Sequence, residues 1–389
     1  MGTRILSVDD ELDLEILLSQ YFRRQIRKGE YEFTFAHNGL EALQKLLETP
    51  DFDIILSDIN MPEMDGLTLL AKINELKNPA MKCIMVSAYG DMDNIRSAMN
   101  KGAFDFATKP IDLDDLSHTI EKAIEQIQYI RESQQEHYQL ESIKNDLVIA
   151  GEIQQTILPQ VFPPFPELAS ILDVYASMAP AKDVGGDFYD FFRIDENRVG
   201  LVIADVSGKG VPASLFMAVS RTLLRATALR GGDSGECLNY VNKLLCKESL
   251  DSMFVTIFYG IYNCQTGMVD YTNAGHNPPY ILRHDGTVDQ LPTISNFVVG
   301  VFDDFNFESA ELRLEYGDSL IMYTDGVTEA FNEQKEQFTE SRMKKIMGNM
   351  KERSTAKSIV MDILQEVKDF SGNYPQSDDI TLLVLRRIK

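Results

Sequence analysis

The sequence has little cysteine and an excess of acidic over basic residues. Its 389 residues include four cysteines, which show neither a CxxC pair nor the accompanying histidines that a zinc site would need. We therefore expect reduced, mostly packed thiols in a cytosolic protein. Lysine and arginine total 37 against 60 aspartates and glutamates, a formal net charge of -23. Because a nucleic-acid-binding protein presents a basic face, neither DNA nor RNA is an expected partner. The cysteines are Cys83, Cys237, Cys246 and Cys264.

Long apolar runs are also absent. No segment approaches the roughly 18 apolar residues of a membrane span. The first residues, MGTRILSVDDE, carry acids where a signal peptide has its apolar stretch, so a cytoplasmic location is expected. A length of 389 residues predicts two or three domains.

Residues 1–125 alternate between short apolar runs and amphipathic stretches. RILSV, YEFTFA, DIILSDI, KCIMVSA and DFATKP are β-rich or apolar, which predicts five strands. Strands that alternate with helices predict a doubly wound α/β domain, with a parallel sheet covered on both faces. In such sheets, binding and catalytic residues gather at the carboxyl ends of the strands.

Polar side chains stand at the ends of these predicted strands. Asp9 and Asp10 close the first strand, Asp58 the third, Ser87 the fourth and Lys109 the fifth. Clustered carboxylates repel one another unless a hard cation lies between them, and oxygen ligands suit Mg²⁺. A lysine and a hydroxyl nearby can hold phosphoryl oxygens. The group therefore suits attack of a carboxylate on phosphorus.

The motifs VDDE, DIILSDINMPEMDG, MVSA and FATKP give residues 1–125 a resemblance to two-component receiver domains, which have a flavodoxin-like fold. The resemblance implies that Asp58 accepts a phosphoryl group from a sensor histidine kinase. It also implies that Asp10 and the Asn60 carbonyl ligate Mg²⁺, with Asp9 acting through water. The remaining implied roles are phosphoryl binding by Ser87 and Lys109 and a rotamer switch shared by Ser87 and Phe106.

A helical pattern without interior proline runs from Asp112 to about Leu158, and QVFPPFPEL ends it. Apolar residues recur along it at 4-3-4-3 spacing, which predicts a coiled-coil seam. Because so long an apolar stripe needs a partner, we favour a dimeric coiled-coil linker over residues 126–160. The alternative is a helix that packs on its own two domains. The seam residues are Leu116, Ile120, Ala123, Ile127 and Ile130, then Leu140, Ile143, Leu147 and Ala150.

Residues 161–389 mix consecutive strands with helix pairs, which predicts largely antiparallel sheets. Acidic motifs stand at several of the strand ends, where they can meet at one rim. A cluster of carboxylates alone can hold two hard cations that activate water for attack on a phosphate ester. The motifs are VGGDFYD with Asp187, IADVSGKG with Asp205, MYTDGV with Asp325, and QSDDIT with Asp378 and Asp379.

These motifs, together with AGEIQQTILPQ and APAKDVGGDFYD, resemble the metal-dependent protein phosphatases (PPM, or type 2C). They fit best the SpoIIE-type branch, which acts on regulators of bacterial sigma factors. The resemblance implies an α/β sandwich and a serine/threonine phosphatase with two Mn²⁺ or Mg²⁺ ions. Asp205 would bridge the ions, assisted by the Val206 carbonyl. Asp325 would hold the second ion with Asp378 or with the adjacent Asp379.

The same resemblance implies that Asp187 acts directly or through water, and that Gly208 and Gly210 permit a close turn beside the metals. Some questions stay open. His276 in NAGHNPPY is either a proton donor near the leaving group or a residue that shapes a Pro-Pro turn. The domain is either an active phosphatase or an inactive adaptor for protein binding.

The resemblance also implies partners and a mode of control. The substrate would be a phosphorylated anti-sigma-factor antagonist, and phosphorylation of Asp58 would control the phosphatase. Activation and inhibition fit the sequence equally.

Overall fold

The computed structural model describes residues 2–88, 91–248, 253–292, 294–350 and 355–389. The chain divides into two compact units, Met1–Ile143 and Lys144–Lys389. Across the described ranges, no helix is both long enough and apolar enough to cross a membrane. All four cysteines are free thiols and three are buried, as predicted: Cys83, Cys237 and Cys264.

The first unit is built on five parallel strands. They are β1 (Thr3–Val8), β2 (Tyr31–Ala36), β3 (Ile54–Asp58), β4 (Lys82–Ala88) and β5 (Asp105–Lys109). Their order in the sheet is β2-β1-β3-β4-β5. Every residue of β3 is buried because separate apolar cores lie on the two faces of the sheet. This confirms the predicted doubly wound parallel sheet.

Helices cover this sheet, and local signals set where some of them begin. The side chain of Asn38 accepts the N–H of Glu41 at the start of one helix, and Asp65 accepts that of Thr68 at the start of another. The first two helices are separated only by Phe22. The helices are α1 (Leu12–Tyr21), α2 (Arg23–Arg27), α3 (Gly39–Glu48), α4 (Gly66–Glu75) and α5 (Met92–Asn100).

The long helix α6 spans Leu113–Ile157, close to the predicted bounds. The prediction that its first apolar run forms a dimer seam is wrong. A helix that packs into its own domain needs the same apolar spacing as a coiled coil, and here the run belongs to the core of the first unit. Leu140 and Ile143, further along, are exposed, so a coiled coil there stays a prediction. The residues in the core are Leu116, Ile120, Ala123 and Ile127, and Ile130 packs against them.

The second unit is a sandwich of two antiparallel sheets. The first contains β7 (Phe188–Arg193), β8 (Arg198–Val206), β9 (Val255–Asn263), β10 (Met268–Ala274) and β13 (Ala310–Arg313), in the order β13-β10-β9-β8-β7. The second contains β6 (Leu172–Ala179), β11 (Tyr280–Leu282), β12 (Val288–Gln290), β14 (Ser319–Tyr323) and β15 (Ile380–Arg387), in the order β12-β11-β14-β15-β6. Strand β7 was not predicted, although its aromatic FYDFF run favours a strand.

A shared core joins the two sheets, with helices on the outer faces. Leu201 of the first sheet and Leu383 of the second belong to the same buried cluster. The helices α7 (Val211–Ala228) and α8 (Ser234–Glu248) pack on the first sheet. The helices α10 (Glu340–Gly348) and α11 (Ala356–Ser371) pack on the second, and the short α9 (Asp325–Thr328) follows β14. The predicted α/β sandwich with mainly antiparallel sheets is confirmed.

Candidate functional site

The first acidic site lies at the carboxyl edge of the parallel sheet. Asp9 follows β1 and Asp58 ends β3, and parallel pairing brings these two strand ends together. Carboxylate oxygens of Asp9, Asp10 and Asp58 all lie within 4.8 Å of one another. No other set of three or more acids, histidines or cysteines in the described part of the chain meets this distance.

Lys109 supplies positive charge to this site. Its Nζ lies 2.8 Å from Asp58 Oδ2 and 2.9 Å from both Asp9 Oδ2 and Glu11 Oε1. Burial lowers the pKa of Lys109, but its hydrogen bonds to these three carboxylates outweigh burial and raise it. Burial raises the pKa of Asp9, although the hydrogen bond from Lys109 opposes this. The acids outnumber the single ammonium, and the excess negative charge suits a hard cation such as Mg²⁺.

The other predicted residues of this site lie on the neighbouring strands. Ser87 follows Val86, the register partner of Asp58, on β4. Its hydroxyl is buried and has no hydrogen-bond partner among the described residues. A phosphoryl oxygen would satisfy such a hydroxyl. The Asn60 N–H donates to Asp58 Oδ1 over 3.3 Å, and Phe106 is half-buried against the core.

The acids of the second site lie at or next to the ends of strands in both sheets of the second unit. Asp205 is at the end of β8, and Asp187 directly precedes the antiparallel neighbour β7. Asp325 lies shortly after β14, and Asp378 shortly before the antiparallel neighbour β15. Antiparallel pairing puts the end of one strand beside the start of the next, so each sheet brings two acids to one of its ends.

Two threonines, one just after β14 and one on β15, donate hydrogen bonds to Asp187. Thr324 Oγ1 donates to Asp187 Oδ2 over 2.7 Å, and Thr381 Oγ1 donates to the same oxygen over 2.6 Å. Asp187 is only 2% exposed. Burial, together with repulsion from Asp205 and Asp379, raises the pKa of Asp187 well above its usual range. Asp187 therefore connects the two sheets at the site.

The remaining acids lie close enough for their charges to affect one another. Burial, followed by repulsion from Asp325 and Asp378, raises the pKa of Asp205 to about 7. Burial and repulsion from Asp378 likewise raise the pKa of Asp325. Bound cations would offset this repulsion, and a set of oxygen ligands without histidine fits Mg²⁺ or Mn²⁺. The Val206 carbonyl oxygen lies close to the backbone of Gly186 in the loop that carries Asp187.

The adjacent Asp378 and Asp379 have different surroundings. Asp379 is 9% exposed, and its Oδ1 accepts the Ala181 N–H over 2.8 Å. Its Oδ2 accepts the Gly186 N–H over 2.6 Å and the Asp187 N–H over 3.3 Å. Both carboxylate oxygens of Asp379 thus accept hydrogen bonds from backbone N–H groups. Asp378 is more exposed: its Oδ1 accepts the Asp379 N–H over 3.0 Å, its Oδ2 pairs with Lys209, and its charge raises the pKa of both Asp205 and Asp325.

Lys209 is a residue of this site that the sequence analysis overlooked. Its Nζ lies 2.8 Å from Asp378 Oδ2 and 2.7 Å from the Ser377 carbonyl oxygen. The lysine stands between Gly208 and Gly210, whose φ angles of 90° and 78° form the turn that the glycines were predicted to permit. The sequence does carry a sign of this role, because Lys209 lies within the SGKG turn that follows Asp205.

His276 lies in the loop after β10. Its Nδ1 is 2.8 Å from Thr256 Oγ1, and its backbone exchanges hydrogen bonds with the Asn273 side chain in both directions. Burial lowers the pKa of His276 to about 4. The imidazole is therefore neutral near pH 7, which favours the loop-shaping alternative over a protonated donor.

Comparisons with known proteins point to two families. Residues 5–121 match the response regulator receiver domain, and residues 195–388 match Stage II sporulation protein E (SpoIIE). Phosphoserine phosphatase RsbU of Bacillus subtilis is 32% identical over 282 residues, which cover 70% of this chain and 81% of RsbU.

Two solved structures resemble part of this chain. The crystal structure of the RsbU and RsbW domains of Rv1364c from Mycobacterium tuberculosis has a TM-score of 0.50 at 25% identity, covering 56% of this chain and 60% of that one. The SiaA-PP2C domain of Pseudomonas aeruginosa has a TM-score of 0.55 at 21% identity, covering 64% of this chain and 98% of that domain. At 21% identity, the similarity to the SiaA-PP2C domain shows a shared fold alone.

The fold and the two matched regions identify a response regulator that carries a receiver domain and a PPM-type phosphatase domain. The similarity to RsbU places it further: the chain belongs to the SpoIIE family of PPM phosphatases.

Proposed function

We propose that the C-terminal domain is a metal-dependent protein serine/threonine phosphatase. The grouping of Asp205, Asp325 and Asp378 carries this proposal, because partly buried acids that repel one another need a compensating charge. These three residues would hold two Mn²⁺ or Mg²⁺ ions, assisted by Asp187 and the Val206 carbonyl. When bound, the ions would supply Lewis acidity for hydrolysis of a phosphate ester.

We propose that the ammonium group of Lys209 binds the phosphate group of the substrate. A phosphate dianion that approaches a group of carboxylates needs a positive charge at the entrance. The side chain of Lys209 is 46% exposed and sits at the rim of the site beside Asp378. An ammonium is a common point-charge partner for phosphate.

The substrate that we propose is phosphoserine or phosphothreonine on an anti-sigma-factor antagonist. Support comes from RsbU, a phosphoserine phosphatase, which is 32% identical to this chain. The fold likeness to the RsbU and RsbW domains of Rv1364c agrees with it.

Phosphorylation of Asp58 by a sensor histidine kinase is the control that we propose. Asp10 and the Asn60 carbonyl, with Asp9 through water, would hold Mg²⁺, which would offset negative charge on the phosphoryl group. Ser87 and Lys109 would bind the phosphoryl oxygens. We also propose that the full-length protein acts as a homodimer, with the exposed part of α6 as the interface.

One assay tests both halves of the proposal. Full-length protein is incubated with a phosphorylated antagonist, with and without Mn²⁺, and with and without acetyl phosphate as a phosphodonor for the receiver. We expect phosphate release that needs Mn²⁺ and changes with acetyl phosphate. Asp205→Asn should abolish release, and Asp58→Asn should abolish the response to acetyl phosphate. The exposed Asp304→Asn serves as the matched control. A folded protein without Mn²⁺-dependent release would favour the adaptor alternative.

A further inference from the structure

Gln154 is a buried polar residue near the end of α6. Its side chain is 5% exposed. The amide Nε2 donates to the Gly185 carbonyl oxygen over 2.6 Å, and the Gly185 N–H donates to Oε1 over 2.9 Å. Both the donor and the acceptor of one side chain are therefore satisfied by a single backbone residue. A buried amide is costly unless it is hydrogen-bonded, so simple helix packing would be served better by an apolar residue.

Gly185, to which Gln154 is hydrogen-bonded, belongs to the loop 180–187 between β6 and β7. The same loop is held from another direction by Asp379, which accepts the N–H groups of Ala181 and Gly186. It ends at Asp187, one of the four acids of the candidate phosphatase site. Two side chains from distant parts of the sequence thus fix the path of this loop.

Gly151, one turn earlier on α6, allows the helix to approach the loop. A Cβ at this position would lie 2.2 Å from the Asp183 carbonyl oxygen, closer than any real contact. Glycine inside a helix is destabilising relative to alanine, and the close approach explains its presence here. The helix and the loop are therefore in direct backbone contact beside the hydrogen bonds of Gln154.

We propose that Gln154 is a positioning residue of the phosphatase site, which holds the loop 180–187 so that Asp187 faces Asp205. The role of the last turns of α6 is then to set the geometry of the acids as well as to connect two domains. This inference rests on the proposed phosphatase function. It concerns a residue that touches neither the substrate nor the acids themselves.

The test compares full-length Gln154→Met with the wild type. Methionine keeps the length of the side chain and removes both hydrogen bonds. The matched control is Gln135→Met, the same substitution at an exposed position of the same helix. Turnover of p-nitrophenyl phosphate with Mn²⁺ gives kcat and KM. Hydrogen–deuterium exchange with mass spectrometry reports on peptides that span residues 180–187.

We expect Gln154→Met to lower kcat about tenfold with KM within about twofold, and to speed exchange of the loop about tenfold, as loss of two hydrogen bonds at the low end of their usual net contribution would. Gln135→Met should change neither quantity. Gly151→Ala reaches the same loop from another position, so it should also lower kcat. If both act through the loop, the double variant should fall short of the product of the two single effects.

Two results would overturn the inference. One is wild-type kcat in a Gln154→Met protein whose loop exchanges faster, because the loop position would then not matter. The other is unchanged exchange of the loop, because the amide would then not hold it. If Gln154→Met does not fold, Gln154→Glu, which keeps an acceptor for the Gly185 N–H and removes the donor to the Gly185 carbonyl, is measured for the same outcomes. A wild-type protein without Mn²⁺-dependent turnover would refute the proposed function instead, while the exchange comparison would still show whether Gln154 holds the loop.

Discussion

The contrast between Asp378 and Asp379 gives the sharpest prediction. Asp379→Asn replaces one carboxylate oxygen with an NH₂ group that faces the N–H of Ala181 or of Gly186. Hydrogen bonds to a charged acceptor contribute roughly 1.5–3 kcal/mol each, and the orphaned N–H adds a desolvation cost. We therefore expect a loss of about 2–4 kcal/mol in the free energy of unfolding. At about 2–4 °C for each kcal/mol, the melting temperature of the domain should fall by roughly 5–15 °C.

Asp378→Asn should have little effect on stability and a larger effect on Mn²⁺ binding and activity. Asp378 and its partner Lys209 are 35% and 46% exposed, and such surface pairs contribute at most about 1 kcal/mol. The melting temperature should therefore move by less than about 4 °C. Because the charge of Asp378 acts on Asp205 and Asp325, its loss should instead weaken Mn²⁺ binding at the proposed site and lower phosphatase activity.

Calorimetry separates the two variants. Scanning calorimetry of full-length protein without metal reports stability, and titration calorimetry with Mn²⁺ reports affinity. Asp304→Asn, exposed and remote in sequence, controls for the change of charge. The reasoning is refuted if Asp378→Asn destabilises the domain as much as Asp379→Asn, or if Asp379→Asn leaves the melting temperature unchanged while abolishing Mn²⁺ binding.

Three further predictions concern other parts of the chain. Lys209→Ala should raise KM for a phosphopeptide about tenfold with little change in stability, as measured by steady-state kinetics; an unchanged KM would contradict its assignment to the phosphate. Asp190→Ala should cost about 3 kcal/mol or more by urea denaturation, because Asp190 is the buried partner of Arg221 and Arg225; an unchanged midpoint would contradict this. Leu140→Glu with Ile143→Glu should give a monomer by light scattering, and a persisting dimer would exclude this part of α6 as the interface.

The sequence determined much of both domains. Apolar runs such as Ile54–Asp58 predict buried parallel strands because helices on both faces leave no solvent side. Once the strands are recognised, Asp9 and Asp58 must meet, since neighbouring parallel strands end at the same edge. The sequence likewise placed Asp205 and Asp325 at strand ends in the sandwich. These conclusions need only periodicity and the rules of strand pairing.

The tertiary structure decided what periodicity leaves open. Side chains that follow one another in an extended chain point in different directions, so only the fold shows that the backbone N–H groups of Ala181 and Gly186 surround Asp379 and that Lys209 pairs with Asp378. The apolar stripe of α6 was ambiguous for a related reason, because a domain core and a dimer seam require the same spacing. Gln154 is one of several glutamines on this helix, and only the fold brings Gly185 to it. In each case the sequence specifies the chemical group, whereas its partner comes from a distant segment that only the packing of the sheets brings near.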